Sequence, residues 1–173
     1  VRVMVSGINP GDTKKRSDWL GNAMPYSRVI PHSDGAGVID AVGEGVDAAR
    51  ISERVWIYGA QSYRAFGTAA QLTVVPAEQA VLLTDGVSDE LGACLGIPGI
   101  TAHRAVFGDG PVDGKTVLVH GVLGGVGSIA ARLAIWKGAT VIGTVRSSRD
   151  LPLVDHAITH RVVDEREVAA AAN

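Results

Sequence analysis

The hydrophobic pattern of this chain changes period most clearly between residues 115 and 149. Positions 116–120 form a short β-branched apolar run, as a buried parallel strand requires. Gly121, Gly124, Gly125 and Gly127 then crowd into a few positions. From Ser128 the spacing turns helical: Val126, Ile129, Ala130, Leu133 and Ala134 fall on one face, Arg132 and Lys137 elsewhere. Gly138 stands where a C-cap glycine belongs, and positions 140–145 return to a strand pattern. The pattern predicts strand, glycine turn, helix and strand, a βαβ unit of about 30 residues.

The first half reads differently. Positions 1–8 alternate partly and end at Asn9-Pro10-Gly11-Asp12, a turn by composition. Lys14, Lys15 and Arg16 follow, either as a solvated surface segment or as the rim of a pocket. Strands are predicted over 38–42 and 54–58, with 66–76 continuing the second. Glycine and proline punctuate them about every ten residues, which indicates a small β-rich unit. Ser88 then serves as an N-cap, with Asp89 and Glu90 in the first turn and an apolar run over 91–97. Pro98-Gly99 interrupts the run, and helix resumes over 101–107. The order is a β-rich module followed by an α/β module, with a boundary near Gly86.

Composition narrows the function classes. The chain has 173 residues, 46% of them hydrophobic, and a formal net charge of −2, so nothing in the charge balance favours nucleic acid or an anionic membrane. Aromatics are only 5%, which argues against stacked-base recognition. No apolar run is long enough to span a membrane. The single cysteine, Cys94, cannot form an internal disulfide and suits a reducing, cytoplasmic setting. A six-stranded doubly wound sheet needs more chain than follows residue 115, so a piece of a larger protein, cut at both ends, is expected.

The glycine turn carries the chemistry. Its spacing is Gly-x-x-Gly-x-x-Gly over 121, 124 and 127. The first N–H groups of a helix have no internal partner, and its macrodipole adds roughly half a positive charge there. A pyrophosphate is the natural guest for Gly121, Gly124, Gly125, Val126 and Gly127. The alternative is a turn used only for close helix–sheet packing. At the end of the second strand, nucleotide units that bind NAD carry an acid, whereas a basic residue accommodates a 2′-phosphate. This chain reads Thr144-Val145-Arg146-Ser147-Ser148-Arg149-Asp150. Thr144, Arg146, Ser147 and Arg149 therefore point to NADPH, the alternative being that both arginines are solvated loop charges.

Four stretches, taken with their order, resemble a known family. They are Gly7-Ile8-Asn9-Pro10-Gly11-Asp12; Pro31-His32-Ser33-Asp34-Gly35-Ala36-Gly37-Val38-Ile39; Gly96-Ile97-Pro98-Gly99-Ile100-Thr101-Ala102; and Val117-Leu118-Val119-His120-Gly121-Val122-Leu123-Gly124-Gly125-Val126-Gly127. They resemble the medium-chain dehydrogenase/reductase superfamily, in its zinc-free quinone oxidoreductase branch, which includes zeta-crystallin. The resemblance covers nearly the whole chain. It implies an α/β fold: a GroES-like catalytic domain over 1–86, its start missing, and a partial Rossmann domain over 87–173, with NADPH in the cleft between them. A small-molecule electron acceptor and a homodimer at full length are implied as well.

The same resemblance assigns the remaining site residues. Asn9 lines the substrate side and Thr101 faces the nicotinamide end; the plainer alternatives are a turn residue bonded to its own backbone and a helix-start cap. Zinc-dependent relatives place a cysteine at Asn9 and Gly-His-Glu at His32-Ser33-Asp34, so no metal is expected, and His32 reads as a hydrogen-bonded loop histidine. Some relatives carry a tyrosine just after the Asn-Pro segment, where this chain has Lys14; Tyr26, Tyr58 and Tyr63 are the candidates to replace it. The implied reaction is hydride transfer from NADPH to a quinone or an α,β-unsaturated carbonyl. Two rival readings stay open: an NADPH-binding, crystallin-like relative without turnover, and a zinc-type alcohol dehydrogenase.

Overall fold

A computed structural model describes residues 1–18, 21, 25–62 and 64–163. Tyr63 and the alanine run near the end lie outside them. The chain divides into two compact units, Val1–Ile97 and Pro98–Asn173.

The first unit is built on a four-stranded antiparallel sheet in the order β1-β2-β3-β4, with β1 at Arg2–Gly7, β2 at Asp34–Val38, β3 at Arg54–Ile57 and β4 at Ala80–Leu82. Alternation sorts the core of this sheet. Val55 and Ile57 are fully buried and pack with Ile39, Ala60 and Ala80. Trp56, between them, packs instead with Ala36, Leu83 and Ala93.

Strand β2 begins at Asp34 and ends at Val38, so the strand predicted over 38–42 is displaced toward the N-terminus. The reason is steric. A Cβ on Gly37 would lie 2.1 Å from the Arg2 carbonyl, so glycine is what lets β1 and β2 approach this closely. Residues 66–76 are not a strand either. They follow the sheet edge through separate bonds, among them Val3 N–H to the Gln71 carbonyl and Thr73 N–H to the Val1 carbonyl, both within 3.0 Å. The turn predicted at Asn9-Pro10-Gly11-Asp12 opens a short helix, α1 (Pro10–Arg16). Pro10 takes the first helical position, where its missing N–H costs nothing.

Helix α2 (Asp89–Ala93) starts as expected, with Ser88 Oγ accepting the Leu91 N–H. It is shorter than the apolar run over 91–97, because Gly96 takes ψ −107° and turns Leu95–Gly99 out of helical geometry. Gly86 lies in the turn after β4, at φ +83°. The division of contacts lies further on, because α2 packs against β1, β2 and β3 and stays with the first unit.

The second unit is the expected α/β arrangement. Helix α3 (Ile100–Phe107) precedes β5 (Thr116–Val119), α4 (Gly125–Trp136), β6 (Thr140–Val145) and β7 (His160–Val163). The three strands form a parallel sheet in the order β5-β6-β7. Helix α4 begins at Gly125, before Ser128, with Gly124 as N-cap. Its buried positions are Ala130, Ala131 and Ala134, with Ile129 and Leu133 packed alongside. Val126, expected on the inner face, is 37% exposed, because it lies in the first turn beside the glycines. Small alanines let α4 lie close on β5 and β6. Gly138 ends the helix at φ +82°, with Ala139 N–H reaching back to the Ala134 carbonyl. Among the described residues, no helix is long and apolar enough to cross a membrane.

Candidate functional site

In the second unit the candidates of the glycine turn and of the loop after β6 lie at the C-terminal end of the parallel strands, where open α/β sheets place their ligands. The turn from β5 to α4 is held by β6. Gly121 N–H donates to Thr144 Oγ1 at 3.1 Å, and Val122 N–H donates to the Thr144 carbonyl at 3.1 Å. Thr144 is buried, and its hydroxyl also meets His120 Nδ1 at 3.3 Å. Thr144 thus fixes the turn. Gly121 sits at φ +66°, and its carbonyl accepts the Gly124 N–H at 2.8 Å.

That arrangement directs the next amides outward. The N–H groups of Gly125, Val126 and Gly127 have no acceptor among the described residues. The next one, on Ser128, closes the first helical bond to the Gly124 carbonyl. Three free donors at the positive end of a twelve-residue helix are the arrangement that an anion could accept from. The glycines differ in what they do. A Cβ on Gly127 would lie 2.2 Å from the Gly121 carbonyl oxygen, so Gly127 serves the turn itself. A Cβ on Gly124 would meet only that oxygen, at 3.2 Å, and one on Gly125 nothing within 4 Å. The space above them is open.

Beyond β6, Arg146 and Arg149 are exposed, and neither guanidinium is bonded to a described residue. Ser147 Oγ accepts the Arg149 N–H at 3.3 Å and starts the short turn Ser148–Leu153. Thr101 lies exposed in the first turn of α3 and makes no cap bond.

The first unit holds a second group of polar residues around Asn9. Asn9 is 5% exposed and is the N-cap position of α1. Its backbone N–H donates to Asp12 Oδ2 at 2.8 Å, while its side-chain Nδ2 donates to Asp34 Oδ2 at 2.7 Å. The same Asp34 oxygen accepts the Ile97 N–H at 2.7 Å. Asp34 is fully buried, and its other oxygen, Oδ1, has no hydrogen-bond partner. Glycine makes the space: a Cβ on Gly96 would lie 2.1 Å from Oδ1. His32 is a bonded loop histidine, at φ +74° with Nδ1 2.8 Å from Ser6 Oγ. Ser6 Oγ also meets Thr68 Oγ1 at 2.9 Å. Lys14 is exposed on α1, and Lys15 Nζ donates to Gln61 Oε1 at 2.8 Å. Of the tyrosines, Tyr58 packs against Trp56 with ring centroids 5.7 Å apart, and Tyr26 is exposed. Among the described residues, no three His, Cys, Asp or Glu side chains gather as metal ligands.

Burial raises the Asp34 pKa above the ordinary carboxylate value. The bonds from Ile97 N–H and Asn9 oppose the shift; nearby Asp12 adds to it and Lys15 reduces it. A raised pKa stabilises the fold fully below the ordinary range of aspartate, about 3.9, and that contribution is lost as pH rises through the folded value. Asp34→Asn cannot ionise and keeps an acceptor oxygen. Its stability relative to wild type should therefore increase with pH above about 4 and level off once Asp34 is ionised. Urea unfolding at a series of pH values measures this, and a difference independent of pH contradicts it.

Sequence reasoning placed the glycine turn, Thr144 and the arginine loop but gave no role to Asp34 or Gly96. Their traces were the stretches 31–39 and 96–102 and, for Asp34, the acid that zinc-dependent relatives place there.

Comparison with known proteins agrees with this geometry. Residues 1–85 match the alcohol dehydrogenase GroES-like domain family. Quinone oxidoreductase from Mus musculus is 37% identical over 172 residues, covering 96% of this chain and 49% of the mouse protein. An alcohol dehydrogenase superfamily protein from Novosphingobium aromaticivorans superposes with TM-score 0.88 at 31% identity, over 100% of this chain and 53% of that one. Escherichia coli quinone oxidoreductase, solved with NADPH, superposes with TM-score 0.79 at 28% identity, over 96% of this chain and 50% of that one. The chain thus spans about half the length of the curated relatives it matches. Residues 1–85 thus carry the alcohol dehydrogenase GroES-like domain, and the chain as a whole is similar to the quinone oxidoreductases and to an alcohol dehydrogenase superfamily protein.

Proposed function

We propose that the full-length protein carrying this chain is an NADPH-dependent oxidoreductase that reduces a quinone or an α,β-unsaturated carbonyl without zinc. The observation that carries this reading is the row of free N–H groups on Gly125, Val126 and Gly127, set beside a loop with two unengaged arginines. The residues fit the group. The amides and Gly121 to Gly127 would hold the pyrophosphate, with Thr144 keeping the turn in shape. Arg146, Ser147 and Arg149 would hold the 2′-phosphate. The solved E. coli relative contains NADPH, which supports the choice of cofactor. When bound, the nicotinamide supplies the hydride.

What the protein contributes is placement and polarity. Asn9 and Thr101 would meet the acceptor and the nicotinamide end, and an amide N–H of Asn9 can donate to an oxygen on which negative charge develops. The domains that carry these roles would be 1–86 and 87–173. At the position where zinc-dependent relatives place a cysteine this chain has Asn9, whose amide is not a zinc ligand of the usual Cys, His or carboxylate type, and this supports a reaction without zinc. The lone cysteine suits a cytoplasmic protein.

The test is consumption of NADPH absorbance by the full-length protein with a panel of quinones, unsaturated carbonyls and alcohols. Turnover with the first two supports the proposal. NADPH binding without turnover favours a non-catalytic relative, and turnover only with alcohols and NADP⁺ favours the zinc type. Elemental analysis should find no stoichiometric zinc, and a chelator should leave the rate unchanged. One tightly held zinc per chain overturns the metal-free part.

A further inference from the structure

We propose that Asp34 is a positioning residue for Asn9: its buried carboxyl fixes the direction of the Asn9 amide, and turnover depends on it through Asn9. This rests on the reading of Asn9 as the residue that lines the acceptor side. The geometry joins three separate segments at one oxygen. Asp34 Oδ2, at the start of β2, receives Nδ2 of Asn9 from the β1–α1 turn and the backbone N–H of Ile97 from the segment after α2, each at 2.7 Å. An oxygen that already accepts from a backbone amide must meet the NH₂ end of Asn9. The amide plane is thereby fixed: its carbonyl faces the Asp12 N–H in the capping box of α1, and its second N–H remains for another partner.

The node is built in. Asn9 and Asp34 are 5% and 0% exposed, so water does not compete for the bond. Gly96 admits the carboxyl, and Gly7 lets β1 pass close to the Asp34 Cβ. A Cβ on Gly96 would lie 2.1 Å from its Oδ1, and one on Gly7 would lie 3.0 Å from the Asp34 Cβ. Thr68 Oγ1 donates to the Asp34 carbonyl and anchors the backbone beneath. Burying a carboxyl with one unpartnered oxygen is costly, so a purely structural residue here is better served by an apolar side chain. The main chain of Asn9 is tied separately, through its N–H to Asp12. Asp34 therefore holds the Asn9 side chain and the Ile97 segment, whereas Asp12 holds the Asn9 main chain.

The test is a double-mutant cycle in the full-length protein with Asn9→Ala, Asp34→Ala and the pair, read as kcat/KM for a quinone and as NADPH dissociation constant. Asp34→Ala should lower kcat/KM about tenfold, the loss expected for releasing one buried hydrogen bond. In the Asn9→Ala background the same change should cost less than about twofold. NADPH affinity should not move. Asp34→Asn, which keeps an acceptor oxygen, should recover most of the loss. Should Asp34→Ala not fold, Asp34→Ser replaces it in the cycle. Equal costs in both backgrounds, with Asn9→Ala itself impaired, overturn the positioning role and leave the acceptor-lining reading intact. Wild-type turnover by Asn9→Ala overturns both.

Discussion

Gly124→Val should weaken NADPH binding by more than about a hundredfold while leaving the fold intact. The backbone allows valine: Gly124 is extended, at φ −79° and ψ 161°, a conformation that β-branched residues favour. A Cβ there meets only the Gly121 carbonyl at 3.2 Å, so the protein has little to move. The isopropyl group would instead stand in the open space in front of the free amides of Gly125, Val126 and Gly127, where a pyrophosphate has to come within hydrogen-bond distance. Gly127→Ala is the contrasting variant. Its Cβ would collide with the turn's own carbonyl at 2.2 Å, so its main cost should be stability. Fluorescence titration with NADPH and thermal melting by circular dichroism separate the two effects. Unchanged NADPH affinity in Gly124→Val removes this turn from the phosphate site.

Arg146→Ala and Arg149→Ala should each cost NADPH about ten- to a hundredfold in affinity and leave NADH nearly unaffected. A guanidinium bound to a phosphate contributes roughly 1.5–3 kcal/mol before solvent exposure is discounted. Both arginines are exposed and bonded to no described residue, so they are free to engage a 2′-phosphate. Arg146 directly follows β6 and should carry the larger share. Both variants are titrated with both cofactors at one ionic strength, because salt screens exposed pairs. Equal losses for NADH and NADPH mean that the arginines do not read the 2′-phosphate. No loss for either makes them solvated charges.

The second unit was legible because its signals are local. A β-branched run, clustered glycines, a helical apolar face and Gly138 each act within a few residues, and β5, α4 and β6 appear where they point. The first unit was less so. Its β2 is rich in glycine, which weakens a strand pattern in the sequence yet is required by the close approach of β1 at Gly37. The stretch over 66–76 looks like a strand in sequence, yet Phe66, Leu72 and Val74 are exposed and it meets β1 only through an isolated bridge between Arg2 and Leu72. The same distinction separates the two halves of the candidate site. The glycine turn and the arginine loop follow one another along the chain. The Asn9–Asp34–Ile97 node joins residues far apart in sequence, and no periodicity marks a buried carboxyl whose space is made by a glycine at 96.

The central claim is direct hydride transfer from NADPH to an electron-poor acceptor without a metal. It is tested most directly with NADPH deuterated at the transferred position and an α,β-unsaturated ketone, after exhaustive chelation of the full-length protein. An enone retains the label at carbon, whereas a quinone would lose it to water from oxygen. The account predicts one deuterium at a carbon of the saturated product, in undiminished yield. Product without label, or a reaction abolished by chelation and restored by zinc, would contradict it.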